Sequence, residues 1–284
     1  MLTRSVLGAT TALAAVVIVA GCGSESSAPT TSGVATAPGV ATGAGDAAAA
    51  RIALTPALDH VHGLHVDADG TVLAGTHSGL RAIDAAGMTT PVGATDDDLM
   101  GFSGAPGTDM LVTSGHPGPS STDPNPLGLR RSDDGGQTWT NKSLLGEVDF
   151  HALATDGTVV VGFDGTTGLR VSTDGGATWS PGATVAAASL ALTSTGVWAL
   201  TPAGLQHSTD QGRSFVTVEN APALVMVAGS TEAVWGIGAD GFAWRSRDGN
   251  SWEKRSFVGT AEALAVAGFD TAYAATAETL FKLS

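Results

Sequence analysis

Between residues 132 and 252 the chain writes one short turn signature four times. It reads SDDGGQTW from Ser132, STDGGATW from Ser172, STDQGRSF from Ser208 and, one residue shorter, SRDGNSW from Ser246. The shared pattern is S-x-D-x-G-x-[TS]-[WF]. Asp134, Asp174, Asp210 and Asp248 are placed to accept hydrogen bonds from amides of their own turn. Gly136, Gly176 and Gly212 supply positive φ, and the closing aromatic packs under the hairpin. A turn that recurs on a near-fixed spacing marks one supersecondary unit used repeatedly, and such units bury a core only by stacking on their neighbours.

With the turns as anchors, residues 51–284 divide into six units. Each holds an apolar strand, a turn, a second strand such as TVLAG, and a Gly-Leu-like step into a third. The second strands fall at 71–75, 110–114, 158–162, 197–200, 233–237 and 271–275, and the units begin near Asp59, Asp97, Asp149, Ala187, Leu224 and Glu262. The one long unit, the second, carries the Pro-rich insertion HPGPSSTDPNPLG. Short strands, 39 glycines and few aromatics fit an all-β repeat of about 40 residues per four-stranded blade. The expected fold is a six-bladed β-propeller. Its sixth unit stops at Ser284 after three strands, so another segment must supply the outermost strand or leave an open edge. Arg51-Ile52-Ala53-Leu54, just ahead of the first unit, is the natural candidate to close the ring.

The turn signature resembles the Asp-box, or BNR repeat, of sialidase-like β-propellers, with three full copies and one degenerate. In that family the box is a structural hairpin far from the active site. The resemblance therefore implies a fold and leaves the activity open.

Residues 1–21 read as a lipoprotein signal peptide, with Arg4 in a short n-region and an apolar stretch at 12–20 too short to span a bilayer. It ends in Val19-Ala20-Gly21-Cys22, which resembles a bacterial lipobox and implies cleavage before Cys22 and acylation of that residue. Cys22 is the only cysteine, which excludes an intramolecular disulfide. Residues 22–50 are then the lipidated cysteine and a flexible tether of Ser, Thr, Ala, Gly and Pro without hydrophobic periodicity. The expected location is the extracytoplasmic face of the cell membrane, held by lipid. With 13 basic and 27 acidic residues, the chain is set against nucleic acid and anionic lipid as partners and is suited to cations.

Six of the seven histidines lie between His60 and His151. On the blade template they converge. His60 and His62 start the inner strand of blade one, His77 ends its second strand, and Met100 starts the inner strand of blade two. His116 follows the second strand of blade two, and His151 starts blade three. In a propeller the inner strand begins on the face where the second strand ends, so all six belong to one mouth of the channel. Asp97, Asp98, Asp149 and Asp164 fall beside them as candidate ligand-binding groups. The matching positions of blades four to six are mostly inert: Leu190, Pro202, Val225, Ala239 and Leu264, with Asp240 and Glu278 as polar exceptions. A purely structural demand would recur in every blade, so the asymmetry points to a site. Imidazoles suit zinc, copper, iron or nickel, and the Met100 thioether tilts the choice toward copper. The competing reading is a neutral site binding a small ligand through hydrogen bonds. His65 and His207 fall outside the cluster.

The chain also resembles, over residues 59–284, bacterial lipoproteins described as BNR-repeat or glycosyl-hydrolase-like, through DHVHGL, THSGL, LMGF, SGHP, DFHAL and the turn signatures. That resemblance implies a glycoside hydrolase as the alternative. A sialidase uses an arginine triad and a tyrosine nucleophile, whereas the only tyrosine here is Tyr273, at a core position of a second strand. Arg81, Arg130 and Arg170 follow Gly-Leu at one repeat-locked place in blades one to three, as scaffold residues do. A hydrolase would instead pair carboxylates such as Asp97, Asp149 and Asp164. Similar Asp-box propellers bind proteins as assembly factors or receptors, which implies an interaction scaffold as a further class.

Overall fold

A computed structural model of the chain describes residues 49–284. The leader, Cys22 and the tether up to residue 48 lie outside the described residues. The rest forms six antiparallel four-stranded sheets and contains no helix among the described residues. The inner strands are Val61–Val66, Asp98–Gly104, Ala152–Thr155, Ser189–Thr193, Leu224–Gly229 and Ala263–Gly268. Each packs against the next, and the last packs against the first, so the sheets close into a six-bladed propeller around a channel. The second strands, Val72–Thr76, Leu111–His116, Val160–Phe163, Gly196–Thr201, Val234–Gly238 and Thr271–Ala275, lie within two residues of the spans expected from sequence at every end.

The core sits between blades. One layer joins Ala152, Ala154 and Val161 of blade three to Leu190, Leu192 and Val197 of blade four, all buried. The inner strands of blades three to six accordingly read as short, mostly apolar runs, ALAT, SLALT, LVMVAG and ALAVAG. Tyr273 is half-buried and packs against such a layer, between blades six and one.

Ring closure follows the sequence. Ala50–Ala53 pairs antiparallel with Thr279–Leu283, with Arg51 opposite Phe281, and completes blade six as its outermost strand. Leu54 N then donates to Glu278 O at 2.9 Å. The strand begins one residue earlier than expected and Ala49 is already buried, so the last two residues assigned to the tether belong to the propeller.

The repeated turns link third and fourth strands, and they divide the work between two side chains. In the blade-three turn the Ser172 hydroxyl, buried, accepts from Gly176 N at 2.8 Å and donates to Asp174 Oδ1 at 2.7 Å. Asp174 accepts from Ala177 N, Thr178 N and Thr178 Oγ1. Asp134 and Asp210 repeat the pattern, and Asp248 accepts from Asn250 in the shortened copy. Gly136, Gly176 and Gly212 stand at φ 85, 90 and 84, as the signature requires. The hydrogen bonds hold Asp174 and Asp210 well below the usual carboxylate range, first through Thr178 and Ser214.

The sequence pattern emphasised the aspartate, yet the serine is the buried member. Ser172→Ala leaves the buried Gly176 N–H without an acceptor and is expected to cost about 1–3 kcal/mol, read by chemical denaturation. An unchanged midpoint would show that the hydroxyl is dispensable.

Candidate metal centre

The inner strands of blades one and two do not start as regular ladders. The pairing of Val61–Val66 with Val72–Thr76 shifts between Val61 and Gly63, which makes His62 the extra residue of a β-bulge. The pairing of Asp98–Gly104 with Leu111–His116 shifts between Asp98 and Gly101. A bulge re-aims the side chains around it. Gly115, at φ 146, lets the second strand of blade two pass directly against the Asp98 carbonyl, where a Cβ would clash. Glu262 of blade six fastens the start of blade one by accepting from Val61 N and from Ala277 N, each at 3.1 Å.

These devices bring His62, His77 and Asp98 together. His62 Nε2 lies 3.3 Å from His77 Nδ1 and 3.1 Å from Asp98 Oδ1, and His77 Nδ1 lies 3.0 Å from Asp98 Oδ2. Neither histidine–carboxylate contact has the alignment of a hydrogen bond, and Asp98 Oδ1 is buried without a hydrogen-bond partner. Two metal bonds of 2.0–2.1 Å at a tetrahedral angle set their donors about 3.3 Å apart, and the closest contacts among the three side chains fall near that length, the two imidazoles approaching different oxygens of Asp98. Among the described residues His62, His77 and Asp98 are the one group of three whose donor atoms all lie within 4.8 Å of one another. The His60 ring stands beside it, 4.6 Å from the His62 ring and 5.2 Å from that of His77 between centroids. Burial pushes His62 below the usual imidazole range, against the pull of Asp98 and with the help of His77 and His60. Its neutral form, the ligating one, is the favoured form.

Across blades two and three a second cluster forms. Asp149 Oδ2 lies 2.9 Å from His151 Nε2 and 3.4 Å from His116 Nε2, while His116 Nδ1 lies 2.8 Å from Asn125 Oδ1. Asn125 comes from the Pro-rich insertion, which thereby orients a histidine of the mouth. His62, Met100 and His151 line one cavity of about 200 Å³ at the centre of the ring, in keeping with their equivalent strand positions.

Two of the four aspartates named from sequence are occupied elsewhere. Asp97 is 2% exposed and pairs with Arg130 while accepting from Thr95 Oγ1 and Gly118 N. Asp164 caps its own loop through Thr166 and Thr167; burial raises it, but those hydrogen bonds prevail and its pKa lies below the ordinary value. Arg170 Nε approaches Asp164 at 3.7 Å, so the equivalent arginines Arg130 and Arg170 meet carboxylates at different places in their blades. Asp240 is paired with Lys254. Glu262 and Asn125 are the residues sequence reasoning missed, and Glu262 carried a signal. Its signal was its place at a unit start, which is also where Asp97 and Asp149 stand.

His65 lies outside both clusters, buried against blade two, with Nε2 2.8 Å from Thr108 O and its ring beside Gly104. Burial pushes its pKa down, against the Thr108 carbonyl and Asp109. The unfolded imidazole, near 6.5, therefore takes its proton first, so stability is full above about pH 6.5 and falls as pH drops toward the lower folded value. His65→Gln is expected to flatten that fall in melting temperature. A slope as steep as in the wild type would assign it to other groups.

No family model and no curated protein sequence matches the chain. Solved structures do match in fold. A structure titled "YCF48 bound to D1 peptide" aligns at TM-score 0.52 and 14% identity, over 85% of this chain and 99% of that one. A streptogramin B lyase aligns at 0.52 and 14%, over 83% and 96%. The GH74 xyloglucanase of Xanthomonas campestris aligns at 0.51 and 18%, over 82% of this chain and 53% of that one. These likenesses place the chain among β-propellers, a class that includes both enzymes and a peptide-binding protein.

Proposed function

We propose that the protein is a lipid-anchored, extracytoplasmic propeller that binds a first-row transition-metal ion, copper or zinc, at the channel mouth. The observation that carries this reading is the cluster of His62 Nε2, His77 Nδ1 and the two Asp98 oxygens, whose closest contacts run from 3.0 to 3.3 Å and whose Oδ1 is buried without a hydrogen-bond partner. Two imidazoles and a carboxylate suit a dication, and the affinity order of such ions puts copper(II) ahead of zinc. Three protein donors leave a fourth position, open to His60 or to an outside ligand. Met100 lines the mouth and would join only if copper were reduced.

The four S-x-D turns are read as Asp-boxes of the sialidase-like kind, and Cys22 as the acylated anchor. Cys22→Ala is expected to release the protein from membranes or leave its leader uncleaved; full membrane retention would remove the anchor from the account. The glycoside hydrolase reading is less favoured because Asp97 and Asp164 are engaged in ion pairs and loop capping. A protein partner is in keeping with the peptide-bound propeller of the same fold.

Titration of chelator-treated protein with copper or zinc tests the metal reading. The expected result is at least one ion per chain at micromolar free metal.

A further inference from the structure

The segments that carry His62, His77 and Asp98 are tied to one another, and to blade six, close beside the donors. Residues 58–61 lead into the bulge at His62. Leu58 N donates to Ala277 O at 2.8 Å, and Val61 N, one residue before His62, donates to Glu262 Oε2 at 3.1 Å. Glu262 Oε1 accepts from Ala277 N at 3.1 Å, so one carboxylate spans the seam between blades six and one. The turn after His77 is tied to the same segment: Asp59 Oδ2 accepts from the hydroxyl of Ser78 at 2.5 Å. That turn also lies against the backbone leading to Asp98, so closely that a Cβ on Gly79 would overlap Thr95 O.

Asp59 and Ser78 are both exposed, and surface substitutions of such residues move stability little. What their bond does is fix the separation of the two backbone segments from which His62 and His77 project. Donors held this way need not be gathered when an ion arrives, and binding is spared the entropy of ordering them. Like Glu262, Asp59 opens a repeat unit.

We propose that Asp59, Ser78 and Glu262 are positioning residues of the metal site. The Asp59–Ser78 bond sets the spacing of the His62 and His77 segments, and Glu262 anchors the backbone at the His62 bulge. The proposal rests on the reading of His62, His77 and Asp98 as metal ligands.

The test is copper(II) titration of metal-free full-length protein against a competing chelator. The electron paramagnetic resonance spectrum of the bound ion and the denaturation midpoint are read alongside. S78A removes the hydroxyl without changing any charge. It is expected to bind copper about tenfold more weakly, with an altered spectrum, while its denaturation midpoint stays at the wild-type value. S78T keeps a hydroxyl and is expected to restore wild-type affinity. E262A, measured at a temperature where it is folded, is expected to bind about 10–100-fold more weakly. S78A carries the test alone should E262A fail to fold. Wild-type affinity and spectrum in S78A and E262A overturn the positioning role and leave the site standing. A wild-type protein that binds no copper overturns the site and its positioning residues together.

Discussion

Replacing His62 and His77 together by alanine is expected to lower affinity for copper or zinc at the channel mouth by more than about 100-fold. Loss of a single outer-shell partner already costs a metal site 10–100-fold, and this variant removes two of three direct donors. The fold should survive, because His77 is exposed and neither imidazole makes a contact that the blade ladder depends on. His207→Ala is the matched control. That ring stacks on Trp198 at 4.0 Å, on a third strand remote from the mouth, so its loss should leave metal binding unchanged. Binding that survives in the His62/His77 variant, or vanishes in the His207 variant, would place the ligands elsewhere.

Deleting residues 50–53 is expected to abolish cooperative folding. The segment supplies the outermost strand of blade six, pairing four residues with Thr279–Leu283. At about 1 kcal/mol per backbone hydrogen bond, losing that ladder alone approaches the lower end of a domain's total stability of about 5–15 kcal/mol. The deletion also exposes Thr279–Leu283 as an unpaired edge, ready to pair with another chain. The truncated protein should aggregate or melt without a sharp transition. A monomer melting cooperatively at the wild-type temperature would mean that the ring closes without this strand.

Repeat count, blade boundaries and ring closure were legible because each has a local chemical cause: an Asp-Gly turn, an alternating strand, a sixth unit one strand short. The gathering of histidines at one mouth was legible too, since propeller topology puts inner-strand starts and second-strand ends on one face. The division of labour among the acidic residues was not. Asp96, Asp97 and Asp98 are consecutive, yet Asp96 accepts from Ser120, Asp97 pairs with Arg130 and Asp98 lies against the histidine pair. Period-two alternation cannot phase side chains across an irregular start, and the bulges at His62 and after Asp98 are set by backbone packing that leaves no sequence motif. The role of Asn125 was hidden for another reason: an insertion has no counterpart in other blades, so the repeat offers no template for it.

The central claim is that the channel mouth of blades one to three is a metal site. Elemental analysis of protein purified without chelators, followed by copper and zinc titration across pH, tests it most directly. Ligation needs neutral imidazoles, and burial holds His62 below the usual imidazole range, so affinity should fall on acidification below that range. The account predicts at least one tightly held copper or zinc ion per chain at neutral pH, released on acidification and absent from the His62/His77 variant. Wild-type protein that holds neither ion at micromolar free metal would contradict it.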